Sequence, residues 1–246
     1  MSLLRFAPLR IAVALAAFAA LVSACSRKPE FQSLFNGKDL TGWSGLDGYW
    51  SVQDGAITGQ TTAEKTLKAN SFLVWQGGEV KNFELRLSFR LLADNTENRA
   101  NSGIQFRSKL LDPATFVVGG YQADIDFTRP YVGMLYEEKG RGIIMKTGET
   151  IRIVTGPDGK HKVEQAGPAA DTAATVAAAY KKGEWNEVRI VAEGNHIRQW
   201  FNGTLTADAT DLDEPRAAKS GILAFQLHTG PPMRIQYKNI QLKTLP

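Results

Sequence analysis

The sequence is short of cysteine, of histidine and of any apolar run long enough to cross a membrane. A single cysteine, Cys25, among 246 residues cannot form an internal disulfide, so no disulfide framework holds this fold. The three histidines, His161, His196 and His228, stand far apart and match neither zincin nor zinc-finger spacing. There is no Gly-x-Ser-x-Gly elbow and no phosphate-binding glycine loop. The stretch Lys139-Gly140-Arg141-Gly142 reads as a loop, and Glu137, Glu138, Lys139 and Arg141 read as surface charges on it. Charge of one sign is scarce as well. The formal net charge is +4, and removing Arg5 and Arg10, which lie in an acid-free stretch of 24 residues, leaves +2. Such a balance leaves no electrostatic footprint for nucleic acid, and none is expected as a partner. With 43% hydrophobic and 22% charged residues, chain-wide disorder and a collagen-like repeat are excluded.

What is present begins with an address. Two arginines precede the apolar run Ile11 to Val22, which falls well short of the ~20 residues of a spanning helix. A positive flank, a short apolar core and small residues before a break point describe a secretory signal. The break, Leu21-Val22-Ser23-Ala24-Cys25, resembles the lipobox of bacterial lipoproteins, with Cys25 as the lipidated residue. The expected organisation is a signal peptide over 1–24, a tether over 25–30 and one domain over 31–246, exported and lipid-anchored to the cell envelope.

The domain reads as all-β. Tyr49 to Gln53 meets Ala56 to Gly59 across Asp54-Gly55, a hairpin signal because both turn positions tolerate positive φ. Phe83 to Leu91 alternates apolar and polar residues, so one face meets a core. Similar runs are 103–108, 121–127, 151–154, 187–192, 197–201, 221–227 and 233–242, with a second hairpin turn at Asn202-Gly203. Asp171 is a suitable N-cap for a short alanine-rich helix over 172–180. About ten such strands predict two packed antiparallel sheets. The five tryptophans are expected to fill the core or close its edges.

Side chains two apart on a strand share a face. That parity groups Gln105 with Arg107, Gln122 with Asp124 and Asp126, and Gln226 with His228. If the three strands are neighbours, carboxylates, a guanidinium, an imidazole and three amides meet on one surface, suited to a hydroxyl-rich ligand. Amides and Asp are poor strand formers, which favours a site over an ordinary solvated face. A retaining-glycosidase reading of Asp124 and Asp126 is weak, since Phe127-Thr128-Arg129 lacks the third acid of laminarinase-type enzymes.

The blocks Phe31-Gln-Ser-Leu-Phe-Asn-Gly-Lys-Asp-Leu-Thr-Gly-Trp43, Asn101-Ser-Gly-Ile-Gln-Phe-Arg107, Gly183-Glu-Trp-Asn186, Gly194 to Gly203 and Ile222 to His228 resemble, in order, the 3-keto-disaccharide hydrolase domain family. The resemblance implies a concanavalin A-like jelly roll and an elimination–hydration cleavage of 3-keto-disaccharides or 3-keto-glycosides. It departs where many members carry a Glu-x-Gln strand and this chain has Tyr121-Gln122-Ala123-Asp124. On this reading Asp124 or His228 is the base, Arg107 stabilises the enolate, and Gln105, Gln122 and Gln226 orient the sugar. Asp126 orients the base or joins His228 around a divalent metal ion. The alternative is a non-catalytic carbohydrate-binding lipoprotein using the same face.

Overall fold

The computed structural model describes residues 30–128, 131–168 and 173–246. The leader with Cys25, and Asp171 as a helix cap, lie outside the described residues. In chain order come β1 (Gln32–Ser33), β2 (Trp43–Ser44), β3 (Trp50–Gln53), β4 (Ala56–Gln60), β5 (Ser71–Trp75), β6 (Phe83–Ala93), β7 (Asn101–Asp112), β8 (Val117–Asp126) and β9 (Leu135–Glu138). They continue with β10 (Gly142–Met145), β11 (Glu149–Thr155), β12 (His161–Gln165), α1 (Ala173–Ala179), β13 (Asn186–Glu193), β14 (His196–Phe201), β15 (Thr204–Asp211), β16 (Ile222–Leu227) and β17 (Met233–Thr244). The larger sheet runs β12-β11-β15-β14-β13-β6-β17-β4-β3, with β1 beside β17, and the smaller runs β10-β9-β8-β7-β16-β5-β2. The expected two-sheet sandwich is therefore present. One pairing, β11 with β15, is parallel rather than antiparallel.

Both foreseen hairpin turns form with their glycines and preceding residues at positive φ: Asp54 and Gly55 at 51° and 70°, Asn202 and Gly203 at 48° and 81°. Each of these residue types takes that conformation at little cost. The inner faces of the two sheets then meet over one core, in which Phe83, Phe89, Ile104, Phe106 and Ile190 are fully buried. Burying each such side chain contributes about 1.5–3 kcal/mol. Trp43 stacks on Phe225 at 4.8 Å between ring centres, and Phe225 on Tyr237 at 4.0 Å, so an aromatic column crosses from the smaller sheet to the larger. Trp50 is buried too, and Gly59 lets it lie flat on β4: a Cβ there would come within 2.6 Å of the ring.

The outer face of the smaller sheet is covered at one end only. The loop between β7 and β8 folds back over β5, with Phe72 N–H donating to the Phe116 carbonyl and the Ser71 hydroxyl to the Thr115 carbonyl. That cover buries Phe72, Val74, Val118 and Ala224 as a second, small apolar cluster. The other end of the same face stays open, and the polar residues lie there.

Candidate active site

Neighbouring strands β8, β7 and β16 bring the predicted polar faces together. Register sets Gln105 opposite Gln122 and Gly103 opposite Asp124. Asn70, Asn101, Gln122, Asp124, Tyr131, Met134, Tyr136, Glu138, Ile143, Gln226 and His228 line a hollow of about 280 Å³. A second hollow of about 130 Å³, lined by Arg99, Asn101, Asp126, Thr128, His228 and the 229–231 turn, adjoins it at Asn101 and His228.

A hydrogen-bonded rail crosses the floor. The Ser108 hydroxyl holds the Gln105 amide at 2.7 Å, which meets the Gln122 amide at 2.8 Å. Gln122 Nε2 donates to Asp124 Oδ1 at 2.8 Å, and Asn101 Nδ2 to Asp124 Oδ2 at 3.1 Å. Gly103 makes this possible, because a Cβ there would come within 2.3 Å of the Gln122 side chain lying across it. Gln105 is thus beneath the site, fully buried and outside the lining of the hollow, and fixes Gln122 rather than meeting a ligand directly. Gln226 does line the hollow, and its buried Oε1 has no hydrogen-bond partner among the described residues. An orphaned buried acceptor in a polar hollow suits an incoming hydroxyl.

Burial sets the protonation states. Desolvation pushes the Asp124 carboxyl up to about 8, against two amide donors that favour its charge. Glu138 is raised mainly by the same cause, with Lys139 and an Asn70 bond pulling it back. His228 is lowered by burial, so its ring is neutral at pH 7. Its Nδ1 is hydrogen-bonded to the Thr229 carbonyl, which can only accept. The proton therefore sits on Nδ1, and Nε2 keeps the lone pair. Asp126 is held by the Thr128 N–H at 2.6 Å and by the Thr128 hydroxyl.

Two expectations are corrected. Arg107 does not share the face of Gln105. A bulge shifts the register between Phe106 and Lys109, and Arg107 takes φ 47°, which turns its side chain away. Its buried guanidinium donates to the carbonyls of Lys81 at 2.8 Å, Gly194 at 2.6 Å and Ala218 at 3.4 Å. It ties three loops together. Gly221, at φ 154°, admits the bulge: a Cβ there would stand 2.4 Å from the Arg107 carbonyl carbon. Arg107→Ala is therefore expected to cost about 3 kcal/mol or more, since it strands buried acceptors. Chemical denaturation reads that loss, and kcat/KM of the remaining folded protein should hold within threefold. A hundredfold kinetic defect at unchanged stability would return Arg107 to the reaction.

The second correction concerns the loop charges. Glu138 points into the hollow, and Glu137, one residue earlier on β9, points the other way. Glu137 accepts from Arg141 Nε at 2.5 Å, and Arg141 reaches Asp211 at 2.7 Å, where the Tyr121 hydroxyl also bonds. This buried network fastens the β9 end to the end of β15 in the other sheet and fixes which way Glu138 faces. Alternation along Leu135-Tyr136-Glu137-Glu138 was the signal for it, hidden by the neighbouring glycines. As for a metal, no three His, Cys, Asp or Glu side chains converge as a cation site among the described residues. Asp126 and His228 alone do not make a cage.

A β-sandwich presenting a hollow of amides, carboxyls and one imidazole on its smaller sheet defines a carbohydrate-active domain. The chain belongs to the family of 3-keto-alpha-glucoside-1,2-lyase-like domains, which it matches over residues 30–243. Among solved structures it is similar to two Parabacteroides distasonis proteins described as candidate glycosyl hydrolases. One is 20% identical, covering 88% of this chain and 94% of that one at TM-score 0.54. The other is 19% identical, covering 88% and 100% at TM-score 0.56. A carbohydrate-binding module of Bacillus subtilis is 15% identical, with 84% and 98% covered at TM-score 0.50. At these identities the likeness is one of fold. No curated protein matches the sequence significantly.

Proposed function

We propose that the domain cleaves the glycosidic bond of sugars carrying a ketone at carbon 3, by elimination followed by hydration. The observation that carries this reading is the pairing, in one hollow, of a neutral imidazole with a free Nε2 and of a carboxyl, that of Asp124, kept protonated by burial. A carbon-3 ketone acidifies the hydrogen on C2, because the resulting anion delocalises onto the carbonyl oxygen. His228 Nε2 takes that proton, the C1–C2 double bond forms, and the C1–O bond breaks. Asp124 gives its proton to the departing oxygen. The amides of Asn70 and Asn101 meet the developing enolate oxygen, as preorganised N–H donors can do. Water then adds its oxygen to C1 and a proton to C2, so one water is consumed. The imidazolium and the Asp124 carboxylate return to their starting states by proton exchange. Two adjoining hollows that meet at His228 suit a disaccharide whose linkage lies over the base.

The test uses a 3-keto-disaccharide and its unoxidised parent in D2O. The expected result is release of monosaccharide from the keto sugar alone, with deuterium at C2 of the product. Cleavage of the parent at a similar rate, or cleavage without C2 deuterium, would replace elimination by direct displacement. Binding of either sugar without turnover would make the domain a carbohydrate-binding module.

A further inference from the structure

The larger sheet turns its outer face away from the sugar hollow, and this face is chemically its opposite. Arg86, Arg189, Trp200 and Gln241 line one shallow depression; Lys181, Trp185 and Lys238 line the next, and Ser88, Glu187 and Asn239 border both. Aromatic rings are interleaved with cations. Arg189 lies 4.3 Å from the Trp200 ring centre and Arg198 5.7 Å, while Lys238 lies 3.9 Å and Arg90 5.0 Å from Trp185. Phe31 sits between Arg86 at 4.5 Å and Lys243 at 5.8 Å. Seven cations thus share the face with four acids, Glu84, Glu187, Glu193 and Asp208; Glu84 and Glu193 are already paired to arginines, and Asp208 to His196. The hollows on the opposite sheet hold no such cluster: Arg99 is the one lysine or arginine among the residues lining them. Although the whole chain is close to charge balance, this face is not.

Phe31 also marks where the preceding chain meets the domain. Residues 1–29 join it at this face, and Cys25 is close enough in sequence to lie within about 17 Å of Glu30. We propose that this basic, aromatic face of the larger sheet is a docking surface for an anionic lipid bilayer, holding the sugar hollow outward. Tryptophan rings flanked by long cationic side chains fit the headgroup layer, where an amphipathic ring and a charged tip are both satisfied. Each lysine or arginine near an anionic surface strengthens attachment by about fivefold. The inference is independent of the reaction proposed above, since none of these residues borders the hollow.

The full chain is compared on phosphatidylcholine vesicles with and without one-quarter phosphatidylglycerol. The variants are Lys181→Glu/Lys238→Glu/Lys243→Glu and a charge-matched control, Lys68→Glu/Lys109→Glu/Lys160→Glu. None of the first three lysines is in an ion pair among the described residues, so folding is left intact, and all proteins share residues 1–29. The expected result is that the anionic lipid tightens wild-type binding, that salt near 0.5 M removes the gain, and that the first triple loses at least tenfold more of it than the control. Amine labelling of Lys181, Lys238 and Lys243 should fall on anionic vesicles only. Equal labelling on both vesicles, or equal loss in the two triples, overturns the proposal. So does capture of the face by a soluble anionic polysaccharide with no preference for anionic vesicles.

Discussion

Replacing His228 by Ala is expected to lower kcat/KM for a 3-keto-glucoside by about 10²–10⁴-fold, the range of a positioned general base. The fold should survive, because the ring borders two open hollows rather than the core. The pH profile separates base from ligand contact. Wild-type activity needs His228 unprotonated and Asp124 protonated. Burial lowers the first below its ordinary 6.5 and raises the second to about 8. The profile is therefore a bell, falling on the acid side below pH 6.5 and on the alkaline side near pH 8. His228→Ala should abolish the acid limb, and Asp124→Asn the alkaline one. A His228→Ala protein that keeps both limbs, with KM alone raised, would leave the imidazole as a sugar-orienting group and move the base elsewhere.

Alternation made most of this site legible in the sequence. Gln122, Asp124 and Asp126 lie on one side of β8 because Tyr121, Ala123 and Ile125 are buried on the other. Gln226 and His228 follow Leu223, Phe225 and Leu227 in the same way. Parity fails wherever a bulge adds a residue, and Arg107 sits on one. Nothing in Gly103-Ile104-Gln105-Phe106-Arg107-Ser108 announces positive φ at an arginine; the cause is distant, in Gly221 and in carbonyls from three loops. Strands β9 and β10 leave little trace in the sequence because each is four residues long and glycines separate them, so neither shows a full period. With them went Tyr136 and Glu138. β15 is equally mute: Thr204-Leu-Thr-Ala-Asp-Ala-Thr-Asp211 has Leu205 as its one large apolar residue, and its strand form comes from pairing with β14 and β11. Pairing partners are a property of the fold, and local composition does not contain them.

Asp124→Asn is expected to make the domain more stable while making the enzyme worse. The native carboxyl keeps its proton up to about pH 8, whereas an unfolded Asp releases it near the ordinary 3.8. Between those values the folded state binds more protons than the unfolded one, so stability falls as pH rises. The loss is absent below pH 3.8 and complete above about pH 8. An uncharged Asn escapes it, and turning the Asn101 amide would let that side chain keep a hydrogen bond to the new group. At pH 8.5 the variant should gain about 2–5 kcal/mol, seen as a rise in Tm of about 5–15 °C for a domain of this size. Near pH 4 the two proteins should melt together. Glu138 adds a slope of the same sign in both, and neutral His228 one of opposite sign below pH 6.5, so the difference between the proteins isolates Asp124. Equal Tm values at pH 8.5 would mean that the folded state does not raise the Asp124 carboxyl and leaves it ionised at pH 7. The proton assigned to the leaving group would then have to come from another donor in the hollow, and the alkaline limb of the activity profile would persist in Asp124→Asn.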